Sequence, residues 1–409
     1  LSRFLIGQFG LTDNDLYVCQ GPVNLGRLDA IPDLVEAPEL KYPSFRPRIP
    51  ELLRRSETIF EAIADNEVLL HHPYESFAPF VEMLRQAARD PLVVAIRQSL
   101  CRTGTGSAGV GALLEAATAG KDVMVVIELR ARFDEAANIE LATALQAAGA
   151  QVVYGVVGHK THAKMCMIIR REGRRLKRYV HLGTGNYHER TSRSYTDFGL
   201  FSSDQELGQD VQKIFQQIAA LGKAGKLKAL LQSPFTLHSG MLEQIEAERQ
   251  KALQGQPGLI QAKMNALTEP KIIHALYEAS QAGVRVDLIV RGVCCLLPGV
   301  SGVSDNIRVR SVVGRFLEHM RVYCFGVDED RKVFLSSADW MDRNFFRRVE
   351  ACFPVRDPAL AERVYREGLA NYLDDNTQAW ELLNDGTYRK FKNRGKSYGD
   401  KTALLAPLS

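Results

Sequence analysis

From Glu51 onward the apolar positions of this chain alternate between two spacings. LLRRSETIFEAIA (52–64) carries its apolar residues at helical spacing, HHPYESF (71–77) breaks the pattern as a loop, FVEMLRQAA (80–88) is helical again, and PLVVAIRQSL (91–100) has the β-branched run of a strand. Helix and strand in succession predict an α/β fold. Residues 1–48 differ: they hold several prolines, sustain no period and run into KYPSFRPRIP, so they read as a linker or the end of a preceding domain that does not fold alone.

The pattern repeats. LLEAATAGKDVMVVIELRARF (113–133) aligns with ALYEASQAGVRVDLIVRGVCC (275–295), each a helix, a glycine turn and a strand, with Gly120 and Gly283 lying 163 positions apart. A strand precedes each copy, AIRQSL (95–100) and AKMNAL (262–267), and downstream His162-Ala-Lys164 is matched by His319-Met-Arg321 at an offset of 157. The chain therefore contains a duplicated α/β domain. SPFTLHSG (233–240) supplies turn and cap residues between the copies, and the boundary is placed near residue 230, giving 49–230 and 231–409 as the two domains.

Composition narrows the classes without naming one. A length of 409 residues suits two or three domains, and 45% hydrophobic with 24% charged residues is ordinary globular usage that excludes a disordered or fibrous chain. Apolar runs such as VMVVI (123–127) stop well short of the ~20 residues of a membrane-spanning helix. A net charge of +4 is too mild for general nucleic-acid binding and leaves room for a local anion site. Seven cysteines, at 19, 101, 166, 294, 295, 324 and 352, lack CxxC spacing and point to a reduced, cytoplasmic protein, with peripheral membrane contact left open. The opening LSRFLIGQFG has neither an initiator Met nor a signal-peptide pattern and reads as the carboxy-terminal part of something longer. The closing YRKFKNRGKSYGDK (388–401), six basic residues against one acidic, reads as a solvated tail or a phosphate contact.

The chemistry concentrates in THAKMCMIIRREGRRLKRYVHLGTGNYHERTSRSYTDFGLF (161–201). MCMII and RYVHL are strand-like and joined by a charged turn, so a hairpin is expected to bring His162 and His181 toward one site. Imidazole is a competent nucleophile toward phosphorus near neutral pH, and Lys164 with the backbone N–H groups of Gly183 to Gly185 would stabilise charge on phosphoryl oxygens. Any one of these histidines alone reads as structural. The second copy changes that weighting: EHMRVYCFGVDEDRKVFLSSADWMDRNFFRRVE (318–350) puts His319 and Arg321 on one strand and Ser336-Ser337-Ala338-Asp339 on the next, the layout of HAK followed by GTGN. HHPY and Cys294-Cys295 read as a loop and a buried strand end.

Two copies of His-x-Lys/Arg followed by a small-residue turn resemble the phospholipase D superfamily, whose active site forms between two related halves. Within it AIRQSLCRTG, VVIELRARFDEAANI, THAK, HLGTGNYHERTSRSYTDFGLF, AKMNAL, LIVRGVCCLLPG and SSADWMDRNF resemble the first-type polyphosphate kinase family over essentially the whole chain. The resemblance implies two phospholipase D-like domains, each a mixed β-sheet flanked by helices, with 1–48 as the end of a head domain. It implies reversible transfer of the ATP γ-phosphate through a phosphohistidine to the end of inorganic polyphosphate, giving ADP. His162 would be the nucleophile, His319 would face it, and His181 and Lys164 would lie near the site. Tyr195, Arg291, His319, Arg321 and Asn186 would hold ATP or polyphosphate. Arg102 and Arg132 would grip phosphate oxygens beside Mg²⁺, since a guanidinium has no lone pair for a cation. Arg97, Lys164, Lys263, Arg321 and Arg343 would line a basic tunnel for the polymer. The family also implies a homo-oligomer of the full-length protein, with no specific nucleic acid and no integral membrane association.

Two other readings remain. A phospholipase D-like phosphodiesterase or phosphatidyl transferase would share the duplicated motif, but the superfamily's Asp five residues after Lys is replaced here by Ile169 and Gly326. A non-catalytic polyanion-binding module would explain the basic residues and leave the paired histidines unexplained.

Overall fold

The computed structural model of the protein describes residues 1–21, 23–100, 107–128, 135–155, 158–220, 225–391 and 397–406. The chain divides into two compact units, 1–44 and 45–409. The first holds a helix, Ser2–Phe9, and several shorter helical turns. None of its described side chains is buried, as its lack of apolar periodicity requires.

The second unit is built from strands Val68–His72 (β1), Val93–Leu100 (β2), Asp122–Ile127 (β3), Gln151–Val153 (β4), Lys160–Thr161 (β5), Lys164–Glu172 (β6), Arg175–Gly183 (β7), Tyr195–Ser202 (β8), Leu231–Ser233 (β9), Leu259–Met264 (β10), Arg285–Val290 (β11), Ile307–Val312 (β12), Leu317–Glu318 (β13), Arg321–Phe325 (β14), Lys332–Ser336 (β15), Arg348–Pro354 (β16), Ala379–Leu382 (β17) and Tyr388–Lys390 (β18). One sheet runs β1-β8-β7-β6-β2-β3-β4, the other β18-β17-β12-β11-β10-β14-β15-β16-β5. Strand for strand, β8-β7-β6-β2-β3-β4 of the first corresponds to β16-β15-β14-β10-β11-β12 of the second, with parallel pairs β2·β3 and β10·β11 and antiparallel hairpins β6·β7 and β14·β15 in the same places. The fold is a duplicated α/β architecture, two mixed sheets flanked by helices, as the internal repeat predicts.

The parallel pairs follow from the repeated helix–glycine–strand unit, because a parallel neighbour needs a crossover and a helix supplies it. Helices Ala108–Thr118 and Pro270–Gln281 make those crossovers, and Gly120 (φ 79°) and Gly283 (φ 98°) turn the chain into the following strand in a backbone region that side chains disfavour. β6 is buried on both faces at its start: Cys166 and Ile168 enter one core, Met165 and Met167 another. That second core joins the halves, since it also takes Met320, Val322 and Leu335 of the second sheet and Val364 and Leu369 of the helical segment after it. A separate core lies on each sheet's other side.

Four expectations are corrected. The helix over 52–64 is two short helices, Glu51–Arg55 and Ile59–Ala62, because Ser56 is extended and the Thr58 side chain caps the second by accepting from Glu61 N–H at 3.0 Å. His71 and His72 are not in a loop: they close β1 and are buried, paired with Phe198 and Asp197 of β8. Cys294 and Cys295 lie beyond β11, with Cys295 exposed. The basic segment 388–401 is not a free tail: the side chains of β18 stay exposed but the strand pairs with β17, and Asp400 and Lys401 are buried; residues 392–396 lie outside the described set. Among the described residues no helix is long and apolar enough to cross a membrane.

Candidate active site

The halves exchange short strands, and that exchange builds the site. β5 of the first half pairs in parallel with β16 of the second, Lys160 opposite Arg348 and Thr161 opposite Val349. The next residues in each strand are His162 and Glu350, and His162 Nδ1 lies 2.8 Å from Glu350 Oε2. The N–H groups of His162 and Ala163 both donate to Val349 O at 2.9 Å, fixing the backbone beneath the ring. In the reciprocal exchange β13 pairs with β8, Leu317 opposite Tyr195 and Glu318 opposite Thr196. The next residues are His319 and Asp197, with Nδ1 2.9 Å from both carboxylate oxygens. Each histidine thus takes its carboxylate from the other half.

Both carboxylates receive further donors from equivalent turns. Glu350 accepts from the Ser337 hydroxyl and from Asn344 Nδ2 at 2.6 Å, and Asp197 accepts from Thr184 Oγ1 at 2.6 Å. A buried carboxylate is tolerable only with such compensation. Surrounded by donors, each acts as acceptor, so the histidine Nδ1 carries the proton and Nε2 keeps its lone pair. Around His319 the same assignment is supported by Arg321 Nη1, 3.3 Å from Nε2. Burial, followed by the charges of Lys164, Arg348 and Arg321, holds His162 well below the usual imidazole range, which keeps it neutral. Burial pushes the Glu350 carboxyl up, with Lys164 and the Ser337 hydroxyl opposing it. Burial also raises Asp197, but His319 and Thr184 outweigh it and bring the carboxyl below its ordinary value.

His162 and His319 open on a cavity of about 500 Å³ between the halves. Its charged lining is Lys160, Arg291, Arg321, Arg343 and Arg348 against one carboxylate, Asp339. That carboxylate is engaged: Arg321 donates to it through Nε at 3.2 Å and Nη2 at 3.0 Å, and Asn265 N–H at 2.7 Å. Burial again pushes the Asp339 carboxyl up, and Arg321 more than reverses that, to about 2. The first half has Asn186 in the equivalent position, so the duplication is uneven in charge. Arg291 gives Nη1 to Glu318 O at 2.6 Å. A cavity so lined attracts anions and offers a neutral nucleophile within it.

Of the residues singled out in the sequence, His162, His319, Tyr195, Asn186, Arg291, Arg321 and Arg343 converge on this cavity, with the Tyr195 and His319 rings 5.3 Å apart. His181 does not. Alternation along β7 turns it into the sheet, where it packs on Phe80 and Phe201, accepts or donates at Tyr187 OH, and has its pKa depressed to about 3 by burial. Lys164 is buried beneath the site, where its charge acts on His162 and Glu350. Arg97 turns away to Asp122, and Lys263 is buried against Glu318, so neither lines the cavity. The glycine turn is no open cradle: Thr184 N–H donates to Phe198 O, and Gly185 approaches Asp197 so closely that a Cβ there would overlap the carboxylate. Arg102 and Arg132 lie outside the described residues.

Sequence reasoning missed the two carboxylates, Glu350 and Asp197, and the basic pair Lys160 and Arg348. The available signal was a lone acidic residue inside an apolar strand, RVEACF and YTDFGLF, at matching places in the two copies. Among the described residues no group of three or more His, Cys, Asp or Glu could hold a metal ion.

Two family models match the chain: Polyphosphate kinase C-terminal domain 1 over 58–224 and Polyphosphate kinase C-terminal domain 2 over 230–400. It is 57% identical to a polyphosphate kinase of Xylella fastidiosa strain 9a5c over 408 residues, 99% of this chain and 58% of that protein. It is 55% identical to a polyphosphate kinase of Pseudomonas aeruginosa over 395 residues, 97% and 57%. The chain thus spans little more than half the length of these curated relatives. Among solved structures, polyphosphate kinase from Porphyromonas gingivalis superposes with a TM-score of 0.89 at 32% identity, covering 99% of this chain and 62% of that one. Phosphatidylserine synthase from Haemophilus influenzae, at 14% identity and a TM-score of 0.51 over 84% of this chain and 93% of that one, shares the fold alone.

Proposed function

This chain belongs to the polyphosphate kinase family, and on that footing we propose that it carries the phosphoryl-transfer half of an ATP:polyphosphate phosphotransferase, its two catalytic domains being 49–230 and 231–409. The observation that supports this reading most is the reciprocal pairing of His162 with Glu350 and of His319 with Asp197 at a basic cavity.

With Nδ1–H held by Glu350, the Nε2 lone pair of His162 attacks the γ-phosphorus of ATP. The bond to the β,γ-bridging oxygen breaks with its electron pair on oxygen, and ADP departs. ADP leaves as an anion whose new charge the cavity's cations meet, and His319, held by Asp197 with its Nε2 lone pair free, faces the transfer from the other half and takes a proton from the incoming phosphate oxygen. Arg291, Arg321, Arg343 and Arg348 supply fixed positive charge to the phosphoryl oxygens. In the second half-reaction the terminal oxygen of polyphosphate attacks the same phosphorus, the N–P bond breaks, and its electrons return to Nε2. A phosphoramidate keeps high transfer potential, so both directions run through His162. Tyr195 offers a ring for adenine and Asn186 an amide for phosphate oxygens.

Magnesium belongs to this reading as the companion of the nucleotide phosphates, whose charge it would reduce. The described side chains fit that role and no other, because Asp339 is held by Arg321 and no cluster of ligating residues adjoins the cavity.

The test is transfer of label from γ-labelled ATP to the full-length protein, with wild type compared to His162→Ala. Acid-labile, base-stable label on wild type and none on the variant is the expected result. Equal labelling of both, or polymer synthesis by the variant, overturns the assignment of His162.

A further inference from the structure

The buried residue beside His319 ties the site to the C-terminal end of the chain. Glu318 is 2% exposed, and its carboxylate meets Lys263 Nζ at 2.5 Å, Lys401 Nζ at 3.0 Å and Thr196 Oγ1 at 2.9 Å. Thr196 precedes Asp197, and its hydroxyl also lies 3.2 Å from His319 N. The carbonyl of Glu318 receives Arg291 Nη1 at 2.6 Å. One residue therefore fixes the backbone under His319, the strand under Asp197 and a guanidinium of the cavity. Lys401 is the distant member of this group. It sits on the helix Asp400–Leu405 and is 5% exposed, reaching Glu318 from 83 residues further along the chain, whereas Lys263 comes from β10 of the second sheet.

The segment before that helix is built to dock. Tyr398 N–H donates to Asn376 Oδ1 at 2.8 Å while Asn376 N–H donates to Tyr398 O at 3.0 Å, and Tyr398 OH donates to Asn371 Oδ1 at 2.8 Å. Asp400 N–H donates to Asp375 Oδ2 at 3.0 Å. Asp375 in turn takes the N–H groups of Thr377, Gln378 and Ala379 at the start of β17. Removing a lysine ammonium from water is costly unless a partner of opposite charge meets it, so the burial of Lys401 is sustained by Glu318 and the adjacent Asp400, 3.7 Å away. Burial alone would raise the Glu318 carboxyl, and Lys263 and Lys401 together reverse that, so Glu318 stays ionised.

We propose that the helix Asp400–Leu405 is a clasp for the active site, and that Lys401 is a positioning residue for phosphoryl transfer, acting through Glu318 on His319 and Arg291. Docking of this helix completes the charge balance of Glu318; its release leaves the Glu318 carboxylate with one ammonium and the His319 backbone with a weaker anchor. The inference rests on the phosphohistidine reading and adds to it a dependence on the chain's C-terminal segment.

The experiment compares wild type with Lys401→Met in the full-length protein, following the rate of acid-labile labelling from γ-labelled ATP across ATP concentrations, with the folded fraction measured alongside. A displacement of His319 and Arg291 is expected to slow labelling at saturating ATP by about tenfold to a hundredfold per folded molecule and to raise the ATP concentration needed for half-saturation. Lys401→Arg, which keeps the charge, is expected to recover most of the rate. If Lys401→Met lowers only the melting temperature, with rate and ATP dependence per folded molecule unchanged, the clasp is wrong. Should Lys401→Met not fold, a chain ending at Gly399 removes Asp400 and Lys401 together, leaves no unpaired lysine behind, and decides the matter by the same two readouts. Wild type that takes no label at all refutes the phosphohistidine reading itself, whereas a labelled wild type with an equally active variant refutes only the clasp.

Discussion

His162 Nδ1 rests 2.8 Å from Glu350 Oε2, a contact across 188 residues of chain and across the two halves of the molecule. Because Glu350 is fully buried and already accepts from Ser337 and Asn344, its oxygens orient the ring and select the tautomer with a lone pair on Nε2. Glu350→Gln is expected to keep the shape, lose the acceptor on the His162 side in a share of molecules, and slow labelling from ATP on the order of a hundredfold. Single-turnover labelling measures it, and an unchanged rate would show that the tautomer needs no carboxylate.

The depressed imidazoles set the response to acid. Below pH 6.5 the unfolded chain takes up protons at His162 and His181 that the folded protein disfavours, because burial opposes the charged ring in both. Stability is complete above about pH 6.5 and is lost as the pH falls below it; for His181 the loss runs toward pH 3 at about 1.4 kcal/mol per pH unit, and His162 adds a loss of the same sign. Urea melts between pH 4 and 7.5 follow this slope, and His181→Leu is expected to reduce it while labelling at pH 7.5 continues, since His181 does not reach the cavity.

Activity should resist acid further than an ordinary histidine allows. His162 stays unprotonated through the weakly acidic range, so the labelling rate at pH 5.5 is expected to stay within about twofold of that at pH 7.5 while the protein remains folded. An acid limb centred near 6.5 in the single-turnover profile would contradict the burial of His162.

Gly185→Ala tests the close approach beneath His319. A Cβ at this position meets the Asp197 carboxylate, which must shift from His319 and Thr184 to make room. Overpacking of this kind destabilises by about 1–3 kcal/mol. Thermal melts are expected to show that loss, and labelling is expected to slow by more than tenfold per folded molecule. A variant that melts lower but transfers at the wild-type rate would separate Asp197 from the transfer step.

Asp339→Asn leaves Arg321 charged and without its carboxylate, a change that costs about 3–5 kcal/mol when the pair is buried. An anion in the cavity can take the place of the lost carboxylate. Polyphosphate is therefore expected to raise the melting temperature of the variant more than that of wild type, measured side by side at one ligand concentration. Equal shifts would mean that Arg321 does not reach the bound polymer.

Local sequence carried much of this molecule. The duplication, the helix–glycine–strand units around Gly120 and Gly283 and the hairpin from Lys164 to Gly183 are all short-range patterns of period, turn residue and spacing. His162 and His319 were visible for the same reason, as the same short motif twice. Errors arose where a neighbour from far away decides the outcome. HHPY looks like a loop until β8 is laid beside it, and His181 looks like a partner of His162 until the pleat turns it into the sheet. The segment ending in Lys401 looks like a solvated tail because a run of lysines and arginines gives no sign of the buried Glu318 that one of them meets.

By itself the sequence determined the repeated helix–glycine–strand units, the hairpin and their order along the chain, since periodicity, capping and turn chemistry act over a few residues. It also set the chemical kit, two imidazoles and their cationic neighbours. Tertiary structure decided which carboxylate serves which histidine. Glu350 and Asp197 are ordinary acidic residues until β5 is laid against β16 and β13 against β8, and only that crossing places each beside a ring from the opposite half. The physical reason is that a hydrogen bond and a desolvated charge depend on distance in space, whereas the two members of each pair lie more than a hundred residues apart along the chain.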